Sequence, residues 1–199
     1  MTIERPQTID ITIHIPKRVA APFVWIALLY RRLRYGYAFR RIPLTRGKYA
    51  IVDPDDYERL SKYKWYALKA PNTFYAQRKV RRRNGTSGLV IMHRDIINAP
   101  DEFLVDHINR NGLDNRKANL RLATRSQNRT NSKKQKGRFS SRYKGVSWHS
   151  RERRWFVEVM SGGKKRRIGC CADEVEAAKA YDRAAIKYHG EFAVLNFET

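Results

Sequence analysis

The stretch Val105-Asp106-His107-Ile108-Asn109 is followed by Asn115, by Asn119-Leu120-Arg121-Leu122-Ala123-Thr124, and by Ser126-Gln127-Asn128. One short segment thus holds a carboxylate, an imidazole and several carboxamides. Phe103-Leu104-Val105 suits a strand entering a core, whereas Asn109-Arg110-Asn111-Gly112-Leu113-Asp114-Asn115 is dense in turn formers, so the chain must reverse there. Leu120 and Leu122 alternate with Arg121 and Ala123, the pattern of a short half-buried strand. Thr124 with Gln127 three residues later has the form of a capping box, which starts a helix. The expected unit is strand, long loop, strand, helix, with Asn128 in the helix's first turns.

This order brings Asp106, at the end of the first strand, toward Asn128, at the start of the helix. Both offer oxygen. Mg²⁺ (or Mn²⁺) accepts such a set, because Mg²⁺ dehydrates reluctantly and is held by one or two protein groups with water and phosphate completing its shell. His107 is suited to a separate role, because an imidazole with an ordinary pKa of about 6.5 takes a proton from water at neutral pH, while a metal offsets the charge on a phosphate. Asn109, Asn111 and Asn115 read as turn residues. His93, in Ile91-Met92-His93-Arg94, reads as a packed or phosphate-contacting histidine rather than a metal ligand.

From about Met92 to Asn131 the chain resembles the HNH endonucleases of the homing type. The resemblance implies that Asp106 binds the metal, His107 activates water, Asn119 braces the loop between the strands, and Asn128 completes the metal site, a position that is His in some members and Asn in others of the homing type. An Asn there is an oxygen donor and favours a hard ion over zinc. The activity implied is metal-dependent hydrolysis of DNA phosphodiester bonds. A regulator that keeps its DNA-binding surfaces while the nuclease has decayed is the main alternative, and the intact set Asp106, His107, Asn119 and Asn128 argues against it. RNA binding, a third reading, rests on charge and aromatic residues alone.

Composition points to a polyanionic partner. Lys and Arg number 42 against 19 Asp and Glu, a formal net charge of +23, and the sequence pI is near 10.5. Such a surface attracts phosphate and binds it in a salt-sensitive way. Between Arg129 and Arg167 stand 14 Lys or Arg against only Glu152 and Glu158, interleaved with Tyr143, Trp148, Trp155 and Phe156. That clustering is better explained by nucleic acid than by an ordinary solvated face.

A chain of 199 residues has room for one or two small cores, and the polar, basic stretch from Asn131 to Arg142 divides it in two. The expected organisation is an N-terminal extension over 1–42, a nuclease domain over 43–132, a basic linker over 133–141 that orders on DNA, and a second domain over 142–199. In the second domain, Val146 and Trp148 alternate with Ser147 and His149, and Trp155 to Val159 forms a second strand. Gly162-Gly163 turns into a third strand at Lys164 to Gly169. Asp173 and Glu176 open a helix with an apolar stripe of Ala177, Ala178, Tyr181, Ala184, Ala185 and Tyr188, which Gly190 ends. This region, from about Arg142 to Phe197, resembles the AP2 DNA-binding domain. The resemblance implies a three-stranded antiparallel sheet laid in the major groove of double-stranded DNA, with Lys144, Ser147, His149, Arg151, Arg153, Lys165 and Arg167 at the contact positions.

The fold class expected overall is α+β, a ββα-metal nuclease unit with a β-rich lead-in followed by an AP2-like sheet and helix. Tyr49 to Val52, Lys64 to Ala67, Phe74 to Ala76 and Leu89 to Met92 read as short lead-in strands, with a turn at Asn84-Gly85 and a short helix between Asp53 and Lys62 capped by Asp53. Within 1–42 a helix near residues 20–35 is expected. Its apolar run, Val19 to Tyr30, holds Pro22 and is too short for the roughly 20 residues that span a bilayer, so no membrane segment is expected. Adjacent Cys170 and Cys171 read as core filling in a reducing cytoplasm.

Overall fold

The computed structural model describes residues 17–82, 85–134 and 137–197. Contacts divide the chain into two compact units, Met1–Arg40 and Arg41–Thr199. The first carries helix α1, Lys17–Tyr35, which contains Pro22. Its Phe23, Trp25, Ile26, Leu29, Tyr30 and Leu33 are exposed. Among the described residues no helix is long and apolar enough to cross a membrane.

The larger unit is α+β and built from small antiparallel sheets. Strands β1, Arg40–Pro43, and β2, Tyr49–Val52, pair with each other. Helix α2, Pro54–Leu60, follows, and Leu60 is fully buried. Asp53 occupies its N-cap position without capping it: the carboxylate instead accepts from the Lys117 backbone N–H at 2.7 Å, tying α2 to the segment between the site strands. Strands β3, Tyr66–Lys69, β4, Phe74–Arg81, and β5, Ser87–Ile91, form a sheet in that order. Of the expected Asn84-Gly85 turn only Gly85 lies within the described residues, with φ 79°.

Met92 does not extend β5. It opens a helix that the sequence pattern did not show, α3 over Met92–Ile97, which Asn98 closes in the left-handed region at φ 46°. A six-residue helix spans too few turns for a 3.6-residue period to emerge. Arg94 leaves α3 to donate to the carbonyls of Phe103, Ala99 and Pro100 at 2.8, 3.1 and 2.8 Å. It thereby sets the chain's path into β6, Leu104–His107. Behind β6 lies a core of Ile42, Val52, Leu60, Trp65, Met92, Val105 and Leu120.

Strand β6 pairs antiparallel with β7, Leu120–Ala123, matching Asp106 with Arg121 and His107 with Leu120. Leu122, expected inward beside Leu120, is 43% exposed, while Ala123 is buried. Helix α4, Arg125–Thr130, starts at the expected capping box: Thr124 Oγ accepts from Gln127 N at 3.3 Å and Gln127 Oε1 accepts from Thr124 N at 2.8 Å.

The last region holds β8, Val146–His149, β9, Arg154–Ser161, β10, Lys164–Cys171, and helix α5, Glu174–His189. The strands lie in the order β10-β9-β8, all antiparallel. Asp173 caps α5 by accepting from the N–H groups of Val175 and Glu176. Alanines 177, 178 and 185 with Tyr181 meet Val146, Val157 and Val159 in a second core. Close approach there depends on Gly145, whose φ is +71° and whose missing Cβ would overlap the Tyr181 ring.

Two expectations fail in this region. Tyr188 is 40% exposed rather than part of the buried stripe, lying in the last turn of α5. Cys170 is exposed and only Cys171 packs against the core, because a register shift between Arg167 and Gly169 places Cys170 opposite Phe156 on the face away from α5.

Candidate active site

Asp106 and His107 sit at the end of β6, 5% and 4% exposed. Cross-strand pairing aims Arg121 at the carboxylate, with Nε at 2.9 Å and Nη2 at 2.8 Å from Asp106 Oδ2. From the end of α4, Asn131 Nδ2 donates to Asp106 Oδ1 at 2.8 Å, to Oδ2 at 2.9 Å and to the His107 carbonyl at 2.9 Å. Asn131 is itself buried. The sequence pattern puts it in a polar run beyond the site, and its signal was spacing: it stands three residues after Asn128, hence on the same helical face.

Asn119 ties down the loop between the strands. Its Oδ1 accepts from Asn109 N at 3.0 Å, and its Nδ2 donates to Asn109 Oδ1 at 3.0 Å and to the Asp114 carbonyl at 2.8 Å. Asp114 in turn holds Arg116 by two bonds of 2.8 and 2.6 Å and accepts from Asn109 Nδ2 at 2.8 Å. Asn109 and Asn111 accept from backbone N–H groups two residues on, as turn residues do. Asn115 differs. It is buried at 1% exposure, its Oδ1 faces His107 Nε2 at 3.4 Å, and its Nδ2 has no hydrogen-bond partner among the described residues.

Facing an amide oxygen, His107 Nε2 carries the proton and leaves the lone pair on Nδ1. Burial pulls the His107 pKa below the ordinary histidine value, partly offset by the Asn115 hydrogen bond and by the charges of Asp106 and Asp114. The ring lies in an aromatic cluster, 5.0 Å from His93 and 5.7 Å from Tyr75. His93 is packed, as expected. Burial, then the charges of His107 and Arg94, bring its pKa down to about 3, and its Nδ1 has no partner among the described residues. It is therefore neutral at physiological pH.

Among the described residues no three His, Cys, Asp or Glu side chains gather into a metal cluster. The donors are of another kind. Asp106 Oδ1 accepts one hydrogen bond, from Asn131, and keeps a second lone pair. Asn128 is half-buried, one turn before Asn131 on the same face of α4. One carboxylate and one amide oxygen fit a hard ion that retains water and phosphate, not zinc. The described hydrogen bonds from this helix end to Asp106 come from Asn131, and none joins Asn128 to it.

The seven expected contact positions fall in three places. Register puts Ser147 opposite Phe156, His149 opposite Arg154, Lys165 opposite Met160 and Arg167 opposite Glu158, so all four side chains share the face turned away from α5. On it His149 stacks on Phe156 at 4.3 Å and the Arg167 guanidinium covers the same ring at 3.9 Å. Lys165 pairs with Glu158 at 2.5 Å. Arg151 and Arg153 are exposed in the β8–β9 turn, Arg153 with φ 50°. Lys144 stands apart. Its Nζ donates to the carbonyls of Thr130 and Ser132 at 2.7 and 2.6 Å, and burial, with Arg110 nearby, brings its pKa down to about 8.

A strand-end Asp-His pair, an Asn-braced loop and a capped helix thus gather in one place, and known proteins bear on what they do. A family model described as HNH endonuclease matches residues 98–130. An uncharacterised HNH endonuclease of Acanthamoeba polyphaga mimivirus is 34% identical over 152 residues, covering 76% of this chain and 76% of its own. This chain belongs to the HNH endonuclease family. Two AP2-like ethylene-responsive transcription factors of Arabidopsis thaliana are each 46% identical over 63 residues, 31% of this chain, and that match spans only 13% and 11% of their own lengths. The protein is thus an HNH endonuclease with a segment similar to AP2-like factors, and DNA is the substrate these likenesses support.

Proposed function

We propose that this endonuclease hydrolyses phosphodiester bonds of double-stranded DNA with the help of Mg²⁺ (or Mn²⁺), at sites selected partly by the sheet of residues 142–199. The domains are 1–42, 43–132 and 142–199, with 133–141 joining the last two, and the folds are a ββα-metal unit and an AP2-like unit. The observation that carries the reading is the buried Asp106-His107 pair at the end of β6, oriented by Arg121, Asn131 and Asn115. Such a heavily braced carboxylate and imidazole are costly to bury and are arranged where chemistry needs fixed geometry.

In this mechanism His107 Nδ1 takes a proton from the attacking water, and its depressed pKa keeps the base unprotonated at neutral pH. Asn115 holds the tautomer by accepting from Nε2. Asn119 keeps the loop closed, so that Asn115 stays beneath the imidazole. Asp106 and Asn128 are the residues that would hold the ion. When bound, it supplies charge compensation for the phosphate and the leaving oxygen. Ser147, His149, Arg151, Arg153, Lys165 and Arg167 meet the duplex, the exposed arginines releasing counterions at phosphates and the sheet face reading base edges. With both cysteines free, the protein suits the reducing cytoplasm. Nicking of a supercoiled plasmid, run with Mg²⁺, with chelator, and with Mg²⁺ restored, tests the reading: cutting should stop and return. Cutting that persists in chelator contradicts metal dependence.

A further inference from the structure

The stretch 133–141, expected as a basic linker, is hydrogen-bonded at both ends where it is described. Lys134 Nζ donates to the carbonyls of Ser141 and Tyr143, and the Ser141 hydroxyl donates to Glu174. Two cations then join the regions on either side of it. Arg121 closes on Asp106 with Nε and Nη2, while Nη1 donates to the Glu191 carbonyl at 2.6 Å and the guanidinium lies 3.7 Å over the Phe192 ring. Glu191 and Phe192 belong to the turn Gly190–Phe192 that follows α5, and Phe192 is buried. Lys144, just before β8, donates to the carbonyls of Thr130 and Ser132, which flank Asn131.

We propose that the sheet-and-helix unit of residues 142–197 is a positioning element of the cutting site, in which Arg121 and Lys144 transmit its placement to the carboxylate of Asp106. Among the described residues Arg121 and Asn131 grip Asp106, and each is held from that unit: Arg121 by Glu191 and Phe192, Asn131 through the flanking carbonyls on Lys144. Neither cation is left for DNA. The Arg121 side chain is 11% exposed with its donors engaged, and a lysine on the last carbonyls of a helix satisfies acceptors that otherwise go unpaired. A fixed guanidinium with a carboxylate on one edge and a carbonyl on the other transmits displacement, since its five donors hold a rigid plane. Docking thus sets where the Asp106 oxygens lie. The family match ends at Thr130, so Asn131, Lys144, Glu191 and Phe192 lie beyond it while Arg121 lies within it.

The inference rests on the nuclease reading, and its test separates the two. Full-length Lys144→Met and Phe192→Leu proteins are compared with wild type for cleavage rate at saturating duplex, for duplex affinity, and for hydrogen exchange at the amides of residues 104–108 without DNA or metal. Both variants should cut roughly ten- to a hundredfold more slowly, the size expected for misplacing a reacting group. Their affinity should be unchanged, and exchange in β6 should be faster. Weaker affinity with an intact rate for Lys144→Met overturns the proposal and returns Lys144 to the phosphate contacts. Unchanged exchange in β6 for both variants overturns it as well. Should one variant fail to fold, the other carries the same three readouts. A wild-type protein that cuts no duplex sinks the nuclease reading, while the exchange measurement still decides the coupling.

Discussion

The surroundings of Asp106 and the outer face of β8–β10 are both rich in cations, and they use them in opposite directions. At Asp106, Arg121 is consumed by a carboxylate, a carbonyl and a ring, and Lys144 by two carbonyls. On the sheet and in its β8–β9 turn, Arg167, Arg151 and Arg153 are exposed, and Arg167 rests on Phe156. A formal charge of +23 therefore says little about where DNA binds until each cation's partners are known. In the proposed division of labour, inward cations fix geometry and outward ones supply affinity. In a buried ion pair the cost of removing charges from water is large and is recovered only with good geometry, whereas an exposed arginine gains its free energy from released counterions.

The largest expected effect breaks the inward side. Asp106→Ala removes the carboxylate and strands the Arg121 guanidinium, which costs about 3–5 kcal/mol when a buried pair loses one partner. Cleavage should vanish, and the thermal midpoint should fall by many degrees in calorimetry. A protein that melts like wild type would show the pair to be loosely held. On the outward side, replacing Arg151, Arg153 and Arg167 by Gln should weaken duplex affinity and flatten its salt dependence, by roughly 0.9 in log–log slope for each phosphate no longer neutralised. Titrations at several salt concentrations measure this, and an unchanged slope would remove these residues from the phosphate interface.

Gly145→Ala sharpens the comparison by disturbing the sheet's support without touching a charge. A methyl group there meets the Tyr181 ring and a φ of +71°, so destabilisation of about 1–3 kcal/mol or more is expected from overpacking. Denaturant unfolding would detect it, and wild-type stability would mean that α5 does not press on the sheet at Gly145.

A further expectation concerns pH. A histidine whose folded pKa is depressed contributes stability that is complete above its unfolded value and is lost as pH falls toward the folded one. For His93, brought down to about 3 from an ordinary 6.5, that window runs from 6.5 to about 3. His93→Phe should flatten the fall of the thermal midpoint across this range. An identical slope in the two proteins would place the acid sensitivity elsewhere.

Much of this was legible where local rules decide. The capping box at Thr124, the Asp173 cap and the Gly162-Gly163 turn rest on backbone chemistry that neighbouring residues fix by themselves. What escaped was decided by tertiary packing. Asn115 has the composition of a turn residue, and only its burial beneath His107 gives it another role. Asn131 sits in a run that reads as solvated, yet one helical turn beyond Asn128 it reaches Asp106. Asp53 has the residue type and place of a cap and spends its carboxylate on Lys117 instead. Lys144 holds a DNA-contact position in the pattern, and only the folded chain shows its ammonium donating to the carbonyls of Thr130 and Ser132.

The division between cutting and holding is tested most directly by measuring cleavage rate at saturating duplex and duplex affinity on the same preparations of two proteins, His107→Ala and the triple Arg151, Arg153, Arg167→Gln variant. His107→Ala should lose on the order of 10²-fold or more in rate, the usual size of a lost general base, and bind like wild type. The arginine variant should bind weakly at moderate salt and, once saturated, cut at the wild-type rate. If rate and affinity fall together in both proteins, cutting and holding do not lie in separate regions and the account is wrong.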